Sequence, residues 1–113
     1  ATRAGRAAGK ASLAAGLVDQ AARVVISQAG YDEAFIHRTG HGLGLEAHEE
    51  PYIFEGNSLE LGIGMTFTVE PGIYLAGKGG VRIEDDVVVT EKGLESLTDL
   101  PRALLPVEDL LEA

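Results

Sequence analysis

The chain has 113 residues, of which 45% are hydrophobic and 24% charged, one domain's worth of ordinary soluble composition. It has no Cys, which excludes a disulfide scaffold and a thiolate metal site, and its formal charge of −9 is the wrong sign for coating nucleic acid or an anionic membrane. No apolar run approaches the roughly 20 residues of a membrane-spanning helix and no basic-then-apolar leader opens the chain, so a cytoplasmic enzyme or binding domain is expected.

The sequence begins Ala1-Thr2-Arg3 and its single methionine is the internal Met65, as expected of a piece of a longer protein. Residues 1–30 carry Arg3, Arg6, Lys10 and Arg23 against Asp19, about +3, which leaves about −12 for the remainder. Cation chemistry is therefore expected in the acidic part. Residues 1–29 are Ala-rich, with Leu13, Leu17, Ala21, Val24 and Val25 at three- and four-residue steps, which predicts one amphipathic helix or two with that stripe facing the core. Gly30 supplies a left-handed stop. The segment HRTGHGLGLEAHEEP, residues 37–51, has too many glycines for a helix and too little alternation for a long strand, and reads as a short strand entering a polar loop.

Residues 66–71, TFTVEP, alternate as a half-buried strand does, with Phe67 and Val69 on one face and Thr66, Thr68 and Glu70 on the other. Ala76-Gly77-Lys78-Gly79-Gly80 is turn material and predicts a hairpin whose return strand runs over residues 81–90. Its alternation sets Val81, Ile83, Val87 and Val89 on one face and Arg82, Glu84, Asp86 and Val88 on the other. A turn at Lys92-Gly93, a short strand around residues 95–97 and a helical turn over residues 107–111 complete the coarse picture.

All three histidines lie in the Gly-rich segment. His41 sits between glycines, which leave the imidazole room to meet a ligand and let backbone come close. A lone His is more often an ordinary polar residue. Glu70 and Glu84, crowded onto one sheet face, would repel each other unless a proton, an Arg or a cation lies between them. One imidazole and two carboxylates form a hard, oxygen-rich set for Mn, Co, Fe or Zn. Spacing alone leaves open the alternative that both glutamates face bulk water. His48 and Arg82 are placed to touch a substrate carbonyl or carboxylate, the alternative for Arg82 being a local salt bridge to Glu84 or Asp86. His37 stands at a strand end, where a structural role is favoured. Asp85 points away from Glu84 and reads as structural. Gly40-x-Gly42-x-Gly44 lacks the following Lys and helix of a phosphate loop.

HRTGHGLGLEAHEEP, GMTFTVEPGIYL and GVRIEDDVVVT, in that order and spacing, resemble the C-terminal half of the catalytic domain of the pita-bread (creatinase/aminopeptidase-like) metallopeptidases of family M24, specifically the Xaa-Pro dipeptidase (prolidase) and Xaa-Pro aminopeptidase branch. The methionine aminopeptidase branch fits less well. The resemblance runs from about Gly16 to Thr98 and implies an α+β fold with helices packed on a curved antiparallel sheet. It implies hydrolysis of the bond preceding proline with two divalent metal ions, Mn or Co, with Zn or Fe as alternatives. By resemblance His41, Glu70 and Glu84 are metal ligands, Glu84 bridging the ions and Glu70 also shuttling the catalytic proton. His48 and Arg82 match catalytic positions that contact substrate or the tetrahedral intermediate, and His37 matches a histidine of the substrate pocket.

Two further ligand aspartates belong to the preceding half of the family's domain. Asp19 and Asp32 stand in the helix and the turn after it and do not replace them. A Pro-Gly step common in the family is Lys10-Ala11-Ser12-Leu13 here, which leaves the number of N-terminal helices open. The resemblance implies short peptides with proline at the second position as substrates and the missing N-terminal half as a partner. With three of five side-chain ligands, the chain alone is expected to hold no metal or one, and to be inactive. A non-catalytic peptide- or protein-binding module on the same fold is the alternative. Without its other half a sheet edge and an apolar face would stand uncovered, and a homo-oligomer is expected. Light scattering at high micromolar concentration checks this: a mass above that of one chain is the expected result, and a strict monomer counts against it.

Overall fold

Two helices form from the Ala-rich segment, α1 (Thr2–Ala8) and α2 (Ala15–Gln28), in a computed structural model that describes residues 1–112. No local sequence signal breaks them apart; the break is imposed from outside. Ser12 donates its N–H to the Leu61 carbonyl and Ala15 to that of Leu59, while Leu61 returns a bond to Leu13, so the linker is pinned as a turn, closed by the Leu13 N–H on the Lys10 carbonyl, against residues 59–61. The cost is visible at Ser12, whose φ of 68° lies in the left-handed region that a residue with a Cβ enters reluctantly. Gly30 ends α2 as its sequence predicts. Its φ is 87°, its N–H bonds to Ser27 and that of Tyr31 to Ile26, the paired bonds of a Schellman stop.

The buried face of α2 is not the predicted stripe. Leu17, Val24 and Val25 are exposed, and the face turned inward carries Ala15, Val18, Asp19, Ala22 and Ile26. The reason is Asp19, a carboxylate with no exposed surface in the middle of that face. Arg23 grips it with Nε at 2.8 Å and Nη2 at 3.0 Å, and Thr39 donates its backbone N–H at 3.1 Å and its hydroxyl at 2.8 Å. The hydrogen bond to Asp19 raises the Arg23 pKa above its ordinary value. Arg23 also donates to the carbonyls of Phe35 and His37 and lies 4.0 Å over the Phe35 ring. A polar residue set aside as a metal ligand is thus the bolt between α2 and the loop that follows.

After a 3-10 turn at Asp32–Ala34 come strands β1 (Gly40–Gly42), β2 (Glu49–Ile53), β3 (Thr66–Val69), β4 (Gly72–Leu75), β5 (Gly79–Arg82), β6 (Asp85–Thr90) and β7 (Gly93–Ser96), and helix α3 (Val107–Leu111). Five strands form one antiparallel sheet in the order β2-β1-β3-β6-β7, and β4-β5 is a separate ribbon. Strand β2 was not expected, because Glu49, Glu50 and Pro51 look like loop. It is an edge strand, where a residue without an N–H is tolerated, and β1 pairs it through Gly40 with Ile53 and Gly42 with Glu49.

The single return strand predicted over residues 81–90 is two strands. β5 pairs with β4, ending at Gly72 opposite Arg82, and β6 pairs with β3, starting at Val69 opposite Asp85. Pro71 has no N–H to continue a ladder, so pairing lapses there and at Ile83-Glu84 across from it. Continuing either register sets Glu70 opposite Glu84 at the lapse. Of the predicted apolar face of this segment, Val87 and Val89 are buried and Val81, on the ribbon, is exposed.

The core gathers Ala15, Val18, Ile53, Leu61, Phe67, Val69, Val87 and Val89 between α2 and the sheet. Helix α1 lies close enough that a Cβ on Gly9 would stand 2.3 Å from Leu94. Asp85 begins β6 facing inward, 1% exposed, and collects Arg6 of α1 at 3.0 Å, the Arg102 guanidinium and the Thr98 hydroxyl. Burial would raise its carboxyl, but Arg102, Thr98 and the charge of Arg6 hold it below the ordinary range. Among the described residues no helix is long and apolar enough to cross a membrane. Asp19→Ala, which strands Arg23 and the Thr39 N–H, is expected to lower unfolding stability by about 3–5 kcal/mol in urea titration, and Asp19→Asn by less because it keeps one acceptor for Thr39.

Candidate active site

Strand β1 is short because two of its three residues are glycine, and both glycines are demanded by packing. A Cβ on Gly40 would stand 1.7 Å from the Thr68 carbonyl oxygen, and one on Gly42 2.0 Å from that of Glu50. Of the two effects expected of these glycines, the close approach of backbone is the one seen, from β3 and β2. Their effect on His41 is indirect. Close approach brings its N–H to the Thr68 hydroxyl at 3.0 Å and fixes the imidazole between neighbouring strands.

His41 Nδ1 lies 2.9 Å from the Gly42 carbonyl, so that nitrogen carries the proton and Nε2 presents a lone pair. Nε2 faces Glu70 Oε2 at 3.3 Å. Two acceptors at that distance call for a proton or a metal ion between them. Glu70, directly after β3, is 8% exposed, and its own N–H donates to the Thr39 carbonyl at 2.7 Å. The Asp19 bolt therefore fixes both flanks of this pair.

Arg82 does not make the local salt bridge to Glu84 or Asp86 that spacing allowed. Its Nη1 donates to Glu70 Oε1 at 3.0 Å and its Nε to the Tyr74 hydroxyl at 2.6 Å. The Tyr74 bond is the first cause of the raised Arg82 pKa. Tyr74 was missed by sequence reasoning, although its position in β4, two residues after Gly72, was a usable sign. Its ring meets His37 edge-on at 5.6 Å, and His37 stacks on Phe35 at 5.0 Å. His48 packs edge-on against His41, ring centroids 4.3 Å apart. His37, His48, Glu70 and Arg82 thus converge on one open cleft of about 490 Å³, with Arg38 and Phe54, neither of which was foreseen, completing its wall.

Glu84 sits at the lapse between β5 and β6. Desolvation against the sheet, then the charges of Glu70 and Asp86, push its carboxyl up to about 7. Asp86 Oδ1, alongside, is a buried acceptor with no partner. Crowded carboxylates, an orphaned acceptor and a facing imidazole lone pair are the donor chemistry that suits a hard divalent cation. Among the described residues, however, no three such side chains close around one point. The donors fit a metal in kind and fall short of a complete set in number.

The sequence model of metallopeptidase family M24 matches residues 1–91, taking in α1 as well as the segments in which the resemblance was first visible. The chain is 57% identical over 90 residues to the probable dipeptidase PepE of Mycobacterium tuberculosis, which covers 80% of this chain and 24% of that protein. It is 48% identical over 104 residues to the Xaa-Pro dipeptidase of Lactobacillus helveticus, covering 90% of this chain and 28% of that one. The crystal structure of dipeptidase PepE from Mycobacterium ulcerans superposes with a TM-score of 0.90 at 53% identity, over 92% of this chain and 28% of that one. The chain spans about a quarter of the length of the curated relatives it matches. Its helices and antiparallel sheet are those of the pita-bread α+β fold, and with most of its length matched the chain belongs to metallopeptidase family M24.

Proposed function

We propose that the protein of which this sequence forms part hydrolyses short peptides at the bond preceding proline, with His41, Glu70 and Glu84 contributing to a site for two divalent metal ions. The observation that carries the reading is the His41 Nε2 and Glu70 Oε2 pair, two acceptors 3.3 Å apart beside the crowded Glu84. The similarity to an Xaa-Pro dipeptidase supports the choice of bond. Bound divalent ions, Mn or Co in this reading, would polarise the scissile carbonyl.

The chain's own residues do the rest. Arg82 holds Glu70 by Oε1, which leaves Oε2 oriented to take a proton from water and return it to the leaving nitrogen. His48, braced on His41, is placed to donate to the oxygen that becomes negative as the carbonyl turns tetrahedral. Proline offers no N–H, so its recognition rests on shape, with His37 and Phe54 as the wall.

Two further ligands are needed for five, so the 113-residue chain alone is inactive in this reading. Calorimetric titration with Mn and Co beside an Xaa-Pro hydrolysis assay tests it: weak or no heat and no turnover are expected. Turnover by the pure chain, abolished by Glu70→Gln, would overturn the inactivity. For the crowding, the sign is fixed by the raised pKa of Glu84. The fold favours its protonated form, so stability present below the ordinary value of 4.5 is lost as pH rises through about 7. Glu84→Gln should melt with wild type in acid and above it at pH 8, by less than about 1 kcal/mol because the carboxylate is exposed and screened.

A further inference from the structure

His41 lies in β1 and Glu70 has its N–H on the Thr39 carbonyl, whereas Glu84 belongs to neither ladder. It stands exposed in the lapse, past the end of the β4–β5 pairing at Arg82 and before the β3–β6 pairing begins at Asp85. Strand ends at such a gap fray readily, because few backbone bonds oppose the motion. The neighbours of Glu84 are held instead by side chains from outside the sheet. On one side Thr2 of α1 donates its hydroxyl to the Ile83 carbonyl at 3.1 Å. On the other, Asp85 takes Arg6 Nε at 3.0 Å, the Thr98 hydroxyl at 2.8 Å and Arg102 Nε.

The grip from the segment after β7 is more than charge balance requires, since Arg6 alone neutralises one carboxylate. Thr98 also accepts the Asp86 N–H at 3.3 Å, Leu97 donates its own N–H to the Asp86 carbonyl at 2.7 Å, and Arg102 Nη2 reaches the Ser96 hydroxyl at 3.4 Å. The segment is thus drawn together across Asp85, although residues 99–112 are otherwise exposed, and it lies beyond the residues 1–91 that match the family's sequence model. What the grip adds is direction. Asp85 faces the core on the side of Val69, its partner in register. Successive side chains of a strand point to opposite faces, so an Asp85 held inward turns Glu84 to the face that carries Glu70.

We infer that Asp85 is the positioning residue of Glu84, and that Thr98 and Arg102 hold it in that role from the segment after β7. The value of a fixed Glu84 to the site rests on the function proposed above; that it is fixed rests on the contacts alone. Removing the grip frees the backbone at the lapse and lets the Glu84 carboxylate turn away from Glu70 and His41, with the core and the cleft wall left in place.

The test is ¹⁵N relaxation on the 113-residue chain, followed by titration with traces of Mn. In the unaltered chain the Glu84 amide is expected to be as ordered as the strands, with an order parameter of about 0.85. Thr98→Val combined with Arg102→Ala removes the grip and leaves Arg6 as counter-charge to Asp85; Glu84 should then fall toward about 0.6 while His41 and Glu70 keep their order. Arg102→Lys, which keeps a charged donor, should retain most of it. If the double variant gives no dispersed spectrum, Arg102→Ala alone, at a side chain 36% exposed, carries the same expectation in smaller measure. Lower stability in urea with unchanged order at Glu84 would show that these residues only hold the fold, and would overturn the inference. A Glu84 already mobile in the unaltered chain, or a loss of order shared equally by His41 and Glu70, would overturn it too. Paramagnetic broadening by Mn separates the inference from the function on which it rests. Broadening of His41, Glu70 and Glu84 together, with Glu84 alone relieved in the double variant, supports both. No broadening, with the order lost as expected, leaves Asp85 in its role and removes the metal reading, whereas equal broadening of all three in both chains removes the role and leaves the metal reading intact.

Discussion

A carboxylate with no exposed surface is tolerated in a protein interior only when its lone pairs are answered, and Asp19 is answered by Arg23 Nε and Nη2 and by the N–H and hydroxyl of Thr39. What matters is where those donors come from. Arg23 belongs to the same helix and reaches on to the carbonyls of Phe35 and His37, while Thr39 leads directly into β1 and lends its own carbonyl to the N–H of Glu70. One buried charge thus ties α2, the loop before β1, the strand that carries His41 and the turn that carries Glu70 into a single frame. The placement of His41 and Glu70 is inherited from a contact that lies outside the cleft they face.

That same contact marks the boundary of what the sequence could tell. Signals confined to neighbouring residues were legible: the alternation of Phe67 with Val69 and of Val87 with Val89, the left-handed stop at Gly30, and the hairpin at Gly77 and Gly79, whose φ values are 73° and 143°. Features set by a distant partner were not. The inward face of α2 is disguised by Asp19, which looks like surface until Thr39 is known to sit against it. Strand β2 exists because β1 pairs with it, and nothing local in Glu49-Glu50-Pro51 announces this. The split after Arg82 is dictated by Pro71 on the opposite strand.

At the cleft the division is similar. Residue type and spacing picked out His37, His41, His48, Glu70, Arg82 and Glu84, and the first five of these come together around the cleft and its His41–Glu70 pair. Partnership was illegible, because alternation assigns a face without saying who bonds whom. Arg82 passes over the nearby acids for Glu70 and leans on Tyr74, a residue with no charge to draw attention. The result is a graded field: a committed guanidinium on one side of Glu70, an imidazole lone pair on the other, and a reluctant carboxyl at Glu84 beyond.

The two glycines that flank His41 obey a different master from the histidine itself. Gly40 and Gly42 are held to zero side chain by carbonyl oxygens of the adjoining strands, whatever the cleft does. The motif therefore superposes two messages of unequal permanence. Replacing the imidazole would leave the sheet as it is, whereas a side chain at either glycine would drive β1 off its neighbours, so the glycines bear witness to the sheet and His41 with Glu70 to the cleft.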